Sequence, residues 1–228
     1  MTEIAHNLDL INEKLCQLEA YNSQVKLIAV SKTKPVSMVL EAINAGHTLF
    51  GENKVQEARD KKKKLPDEID LHLIGPLQSN KIKYCPSIFS TIHSTTSLST
   101  ITELNRRYKE HSKIVKILIQ LNLCKETSKS GLIEENDLSQ ILDQSSEFKN
   151  VQITGLMTIP DPNLSSIEVA KVFNRLRQIR DSYSVQYGIK DTFKELSMGM
   201  SSDYQIAVKE GATFIRLGSV IFGDRNHS

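Results

Sequence analysis

Apolar residues in this 228-residue chain fall into two patterns that exchange along its length. Ile4, Leu8, Ile11, Leu15 and Leu18 recur at steps of three and four, which puts one apolar stripe on an opening helix. After Tyr21-Asn22-Ser23 the pattern changes to short apolar or β-branched runs separated by helix-period stretches. The runs predict strands over residues 27–31, 48–51, 71–75, 89–93, 115–121, 151–156, 195–198 and 213–217. The stretches between and around them predict helices over 37–45, 54–64, 79–84, 97–110, 134–146, 165–184 and 203–210. Each run is nearly continuous in apolar residues, as expected of parallel strands covered on both faces.

Eight strands alternating with helices predict the α/β class and a single (β/α)8 barrel, with the N-terminal helix as an addition to it. Too few residues follow Leu217 for a full eighth helix, so the opening helix is expected to close the outer ring in its place. A doubly wound open sheet has the same strand count and is the alternative. No low-complexity linker divides the chain, and one domain over residues 1–228 is expected. Asp161-Pro162-Asn163 reads as a loop.

Charge changes this picture only by exclusion. Lysine plus arginine number 29 and aspartate plus glutamate 27, so the formal net charge is +2 and nothing favours nucleic acid or an anionic membrane as the partner. Cys16, Cys85 and Cys124 are widely spaced, without a metal-ligand or disulfide pattern, which fits a reducing compartment. Glu3, His6 and Asp9 stand where a signal peptide needs an apolar core, and no apolar run approaches the ~20 residues of a membrane span. A cytoplasmic protein that acts as a monomer is expected.

The candidate chemistry lies where strands end. Leu27-Ile28-Ala29-Val30-Ser31 runs straight into Lys32, and period-two alternation puts Ile28, Val30 and Lys32 on one face, toward the barrel mouth. A desolvated lysine amine is the group that forms Schiff bases with carbonyl compounds. Lys34 has the same parity but lies past the strand, and is expected in solvent. Barrel enzymes bind phosphate groups at the loops after strands seven and eight. Those loops here read Ser197-Met198-Gly199-Met200-Ser201-Ser202-Asp203 and Arg216-Leu217-Gly218-Ser219, both small and rich in donors. Arg216 stands inside an apolar strand, where an unpaired guanidinium is costly, so it is read as a structural ion pair or a functional cation. Asn53, after strand two, is a helix cap or a ligand contact. His72 and His93 are expected as hydrogen-bonded core residues. Lys61 to Lys64 follow Glu57 and Asp60 and read as a solvated helix face. Neither a Gly-rich mononucleotide loop nor a metal-binding helix motif is present.

These residues also carry a resemblance. Ala29-Val30-Ser31-Lys32, Gly51-Glu52-Asn53-Lys54-Val55-Gln56-Glu57 and His72-Leu73-Ile74-Gly75-Pro76-Leu77-Gln78-Ser79-Asn80-Lys81 resemble the pyridoxal phosphate homeostasis protein family. Ser128-Lys129-Ser130-Gly131, Gly155-Leu156-Met157, Leu196 to Ser201, Arg216 to Ser219 and Ile221-Phe222-Gly223 continue it in order. The resemblance implies a barrel similar to the N-terminal domain of alanine racemase, holding pyridoxal 5'-phosphate (PLP). It implies Lys32 as the Schiff-base lysine and Arg216 as the arginine facing the pyridine nitrogen. It implies Ser201, Gly218 and Ser219 as the phosphate cradle, with Asn53, Met157 and Ser197 as neighbours of the cofactor. Lys54 is a departure, standing where family members often carry tyrosine.

A donor-only arginine at the ring nitrogen would keep that nitrogen unprotonated and weaken PLP as an electron sink. The chain also ends at Ser228, without the second domain that helps to complete the racemase site. The expectation is a PLP-binding protein of vitamin B6 homeostasis that buffers the cofactor or delivers it to apo-enzymes, without robust amino-acid turnover. The alternatives are a weak amino-acid racemase and a Schiff-base aldolase without PLP.

Overall fold

The computed structural model of the chain describes residues 2–18, 25–124, 131 and 135–224. The expected turn at Tyr21-Asn22-Ser23, the motif residues Ser128-Lys129-Ser130 and the expected helix start at Glu134 lie outside the described residues.

Eight parallel strands close into a barrel in sequence order: β1 (Lys26–Val30), β2 (Leu49–Glu52), β3 (Asp70–Leu73), β4 (Thr91–Thr95), β5 (Val115–Gln120), β6 (Val151–Met157), β7 (Glu195–Ser197) and β8 (Phe214–Leu217). Closure is made by β1 and β8, which pair over Lys26 to Ala29 and Phe214 to Leu217, and it excludes the open doubly wound sheet. The helices are α1 (Glu3–Gln17), α2 (Val36–Asn44), α3 (Val55–Lys62), α4 (Leu98–Glu110), α5 (Glu135–Asp143), α6 (Ser166–Gln186), α7 (Tyr204–Lys209) and the single turn α8 (Ser219–Phe222).

The opening helix sits where the outer ring needs it. Thr2 caps α1 by accepting from Ala5 N–H, and Ile4, Leu8 and Ile11 are buried on its inner face. Asn7 Nδ2 donates to the carbonyl oxygen of Ile221 at 3.1 Å, tying α1 to α8. Ser165 and Glu168 form a reciprocal capping box that starts α6.

Two predicted elements differ. The segment 79–84 is part of a 3₁₀ helix, Ser79–Ser87, that contains Pro86, whose missing N–H and ring disfavour continuous α-helix. The fourth strand starts at Thr91 rather than Phe89. The chain turns at Ile88 and Phe89, whose N–H groups both donate to Cys85 O, and Phe89 packs into the core outside the sheet.

Alternation along the strands sorts two cores. Leu27, Ala29, Leu71, Leu73, Ile215 and Leu217 face the helices and join the large outer cluster. Ile28, Val30, Ile74 and Phe214, with Leu49 against them, form a small inner cluster. Further inner positions are polar: His72, His93, Ser197 and Arg216 are buried on β3, β4, β7 and β8. A barrel whose interior carries these groups departs from the usual filling by branched aliphatic side chains.

Candidate functional site

One cavity of about 1040 Å³ opens at the carboxyl ends of the strands, the end at which barrel enzymes place their chemistry. Lys32, Asn53, Ser201, Arg216, Gly218 and Ser219 all line it. Met157 and Ser197 do not; they are fully buried at the ends of β6 and β7.

The turn that presents Lys32 is built by its neighbours. Thr33 adopts φ 64°, a left-handed conformation that a β-branched residue rarely takes. Its N–H donates to Glu57 Oε1 at 2.6 Å, and Lys34 N–H donates back to Ser31 O at 3.0 Å. On the other side of Lys32, Lys61 Nζ donates to Ser31 O at 2.6 Å and to Glu52 Oε1 and Glu57 Oε1, each at 2.7 Å. Ser31 Oγ also donates to Glu52 Oε1, at 2.7 Å. Both flanks of Lys32 are therefore tied to one buried ionic cluster.

That cluster corrects the reading of Lys61 as part of a solvated face. Lys61 is only 7% exposed. It continues the inward row of Val55 and Ala58 on α3, a three-residue spacing already present in the sequence. Burial raises the pKa of Glu52, against the hydrogen bonds and charge of Lys61 and the hydroxyl of Ser31. Lys34 is corrected as well. Its ammonium donates to the carbonyl oxygens of Phe222, Gly223 and Asp224 at 3.0, 2.9 and 2.8 Å, satisfying the exposed carbonyls at the end of α8.

On the opposite wall, Gly199 turns the chain out of β7. It has φ 95°, and a Cβ there would lie 2.6 Å from Ala207 Cβ, so both conformation and space demand glycine. Its carbonyl accepts from Arg216 N–H at 2.9 Å, locking the β7 exit loop to β8. Asp203 Oδ1 accepts from Met200 N–H at 2.5 Å and shapes the loop that carries Ser201. Gly75 is held as closely, since a Cβ there would lie 2.4 Å from Asn53 O, and this packing sets Asn53 at the rim.

Arg216 is 4% exposed. Its Nη1 donates to Ser197 Oγ at 2.6 Å and its Nη2 to Thr158 O at 3.1 Å. Among the described residues no carboxylate lies within ion-pair distance of it, so the structural ion-pair reading falls away. Burial pulls its pKa down to about 10, opposed by the charge of Asp203, and it stays cationic at neutral pH.

Gln120 and Asn122 also line the cavity, at the end of β5, and neither was singled out by the sequence. Their signal was legible. They alternate polar with apolar just past a buried run, as Lys32 does.

The chain is similar over most of its length to known proteins. The family model described as alanine racemase, N-terminal domain, matches residues 1–226. A pyridoxal phosphate homeostasis protein of Aquifex aeolicus is 36% identical over 203 residues, covering 89% of this chain and 88% of its own length. That of Escherichia coli K12 is 35% identical over 236 residues, covering 100% of this chain and 99% of its own. The solved structure of PipY from Synechococcus elongatus PCC7942 with PLP bound has a TM-score of 0.87 at 37% identity, covering 96% of this chain and 100% of PipY. A barrel with a lysine at the first strand exit and an arginine inside the eighth, matched over its length by these relatives, belongs to the alanine racemase N-terminal domain family, among the pyridoxal phosphate homeostasis proteins.

Proposed function

We propose that this chain is one cofactor-binding domain that holds pyridoxal 5'-phosphate and serves vitamin B6 homeostasis, by buffering the cofactor or delivering it to apo-enzymes. The observation that carries this reading is the convergence of Lys32, Arg216 and two small, hydroxyl-bearing turns on a single cavity. Those groups fit the cofactor: an amine for an aldehyde, a donor for a ring nitrogen, and hydroxyls with backbone N–H groups for a phosphate. Gly218 supports the fit. The nearest atoms a Cβ there would meet belong to Val30, at an ordinary 3.4 Å, so the fold itself does not demand glycine. What glycine preserves is room in the cavity it lines.

When bound, PLP supplies an electrophilic aldehyde and a conjugated ring that withdraws electrons. Lys32 offers the attachment amine, positioned by the Ser31 and Thr33 bonds on either side of it. Ser201, Gly218 and Ser219 cradle the phosphate, and Asn53 borders the cofactor. Met157 and Ser197 act from beneath, Ser197 by holding Arg216. Arg216 can only donate, so it keeps a facing ring nitrogen unprotonated and limits its electron withdrawal.

Turnover of amino acids needs a second proton-transfer group as well. Among the described residues, no His, Tyr or Cys lines the cavity, Lys34 is engaged with three carbonyls, and Asp224 is the one carboxylate that lines it. The donor-only Arg216 argues for carriage over racemisation. Free Cys16, Cys85 and Cys124 support a cytoplasmic setting, and we propose a monomer.

The test is an absorbance spectrum of the purified protein with added PLP, before and after borohydride, followed by peptide mapping. A band reduced onto Lys32 and lost in Lys32→Ala is expected. No band at any PLP concentration would overturn the reading. Racemisation of alanine or serine that disappears in Lys32→Ala would replace carriage with enzymatic turnover.

A further inference from the structure

Behind Arg216 a hydrogen-bonded chain runs the length of the barrel interior. Ser197 Oγ accepts from Arg216 Nη1 at 2.6 Å and lies 2.8 Å from His93 Nδ1. His93 Nε2 lies 2.9 Å from His72 Nδ1, and His72 Nε2 lies 3.2 Å from Asp70 Oδ2. Asp70 opens β3 at the opposite end of the barrel from the cavity and is 49% exposed, whereas His72, His93 and Ser197 are buried. Phe214 packs edge-on against both imidazoles, at 5.7 and 5.2 Å between ring centres.

The chemistry of the two ends fixes the outer bonds. A guanidinium only donates, so Ser197 Oγ accepts from Arg216, and its own proton is available to His93 Nδ1. A carboxylate only accepts, so His72 Nε2–H donates to Asp70 and leaves Nδ1 free to accept from His93 Nε2–H. With the Nε2–H tautomer on both rings, every bond of the chain has one donor and one acceptor. Burial holds His93 well below the ordinary histidine pKa, and the charge of Arg216 acts in the same direction, in keeping with a neutral ring.

We propose that His93 and His72 are positioning residues for Arg216, fixing the Ser197 hydroxyl as its acceptor and coupling the charge at Asp70 to the donors that Arg216 presents to a PLP ring nitrogen. This rests on the PLP reading of the cavity. The Asp70 carboxylate is the acceptor that selects Nε2–H on His72. Without it His72 can carry its proton on Nδ1 and donate to His93 Nε2, which puts the His93 proton on Nδ1 and turns that nitrogen from acceptor to donor toward Ser197 Oγ. The charged groups facing the pair are Asp70 and Arg216 at its ends. Lys26 lies over Phe214 and pairs with Glu195, Lys116 acts on Asp70, and Asp203 acts on Arg216.

Two measurements test this. In cofactor-free protein, nitrogen-15 histidine NMR is expected to show Nε2–H tautomers for both residues. Ser197→Ala and Asp70→Asn, made at opposite ends, are each expected to move the Nδ1 signals of both. An Nδ1–H tautomer on either ring, or signals that move only next to the substitution, would overturn the chain. In PLP-loaded protein, Asp70→Asn is expected to shift the pH midpoint of the cofactor band downward by more than about 0.3 unit, because losing a negative charge at the far end of the chain disfavours the protonated form. An unmoved or raised midpoint overturns the coupling. A wild-type protein with no PLP band overturns the cofactor reading, and the coupling with it, while the tautomers still decide the chain.

Discussion

Lys61 reaches beneath the first strand to donate to the carbonyl oxygen of Ser31 at 2.6 Å, one residue before Lys32. A second lysine, on a different element, thus fixes the backbone that presents the candidate attachment lysine. The same ammonium is balanced by Glu52 and Glu57, so the turn is held by a buried ionic cluster as well as by backbone bonds.

Lys61→Met leaves Glu52 buried without its cation, and a broken buried pair costs about 3–5 kcal/mol. Urea unfolding at neutral pH measures the loss. The pH dependence has a definite sign. Burial already raises Glu52 above 4.5, and removing Lys61 deletes the main opposing influence. Between its unfolded and folded pKa the native state binds more protons, so stability falls as pH rises through that window. The fall is expected to be steeper in Lys61→Met than in wild type, and equal slopes would place the charge of Glu52 elsewhere.

Thr33 holds φ 64° with an exposed side chain. Asparagine tolerates that region better, so Thr33→Asn is expected to stabilise by about 0.5–1.5 kcal/mol through relief of strain. Borohydride trapping of PLP on Lys32 is expected to persist. A lowered urea midpoint would mean that the turn is not strained.

Arg216 is a desolvated cation without a bonded carboxylate among the described residues, so stability and function oppose one another here. Arg216→Met is expected to raise unfolding stability by about 1–3 kcal/mol, as apolar replacement of buried charge often does. It is expected at the same time to change the pH titration of the bound cofactor's absorbance. A destabilised variant with an unchanged titration would make Arg216 structural.

Gly218 separates packing from binding. Gly218→Ala meets Val30 first, at ordinary contact distance, and is expected to change stability by less than about 1 kcal/mol. PLP affinity is expected to fall roughly tenfold, the equivalent of about 1.4 kcal/mol. Comparison of a PLP titration with a urea curve checks both, and unaltered affinity would remove Gly218 from the phosphate cradle.

Local pattern decided most of the architecture. Short, nearly continuous apolar runs alternating with helix-period stretches gave eight strands and their intervening helices, since both faces of a parallel strand are buried and one face of each helix is. Lys32 and Arg216 were legible because a cation in an apolar strand is costly without a use or a partner. The run of Lys61 to Lys64 hid its one buried member among three partners of the same type, although Val55 and Ala58 marked the inward row. Lys34 was misread because the carbonyls that bind it belong to residues 222–224, remote in sequence.

By itself the sequence determined the barrel elements, the helix that completes the ring and the cations at the first and eighth strands. All of these follow from hydrophobic burial acting over neighbouring residues. Only the tertiary structure decided closure between β1 and β8, the Lys61 cluster around Lys32 and the Arg216-to-Asp70 chain through the interior. Those depend on side chains far apart in sequence finding hydrogen-bond partners within about 3 Å, and no local pattern encodes which strands will meet.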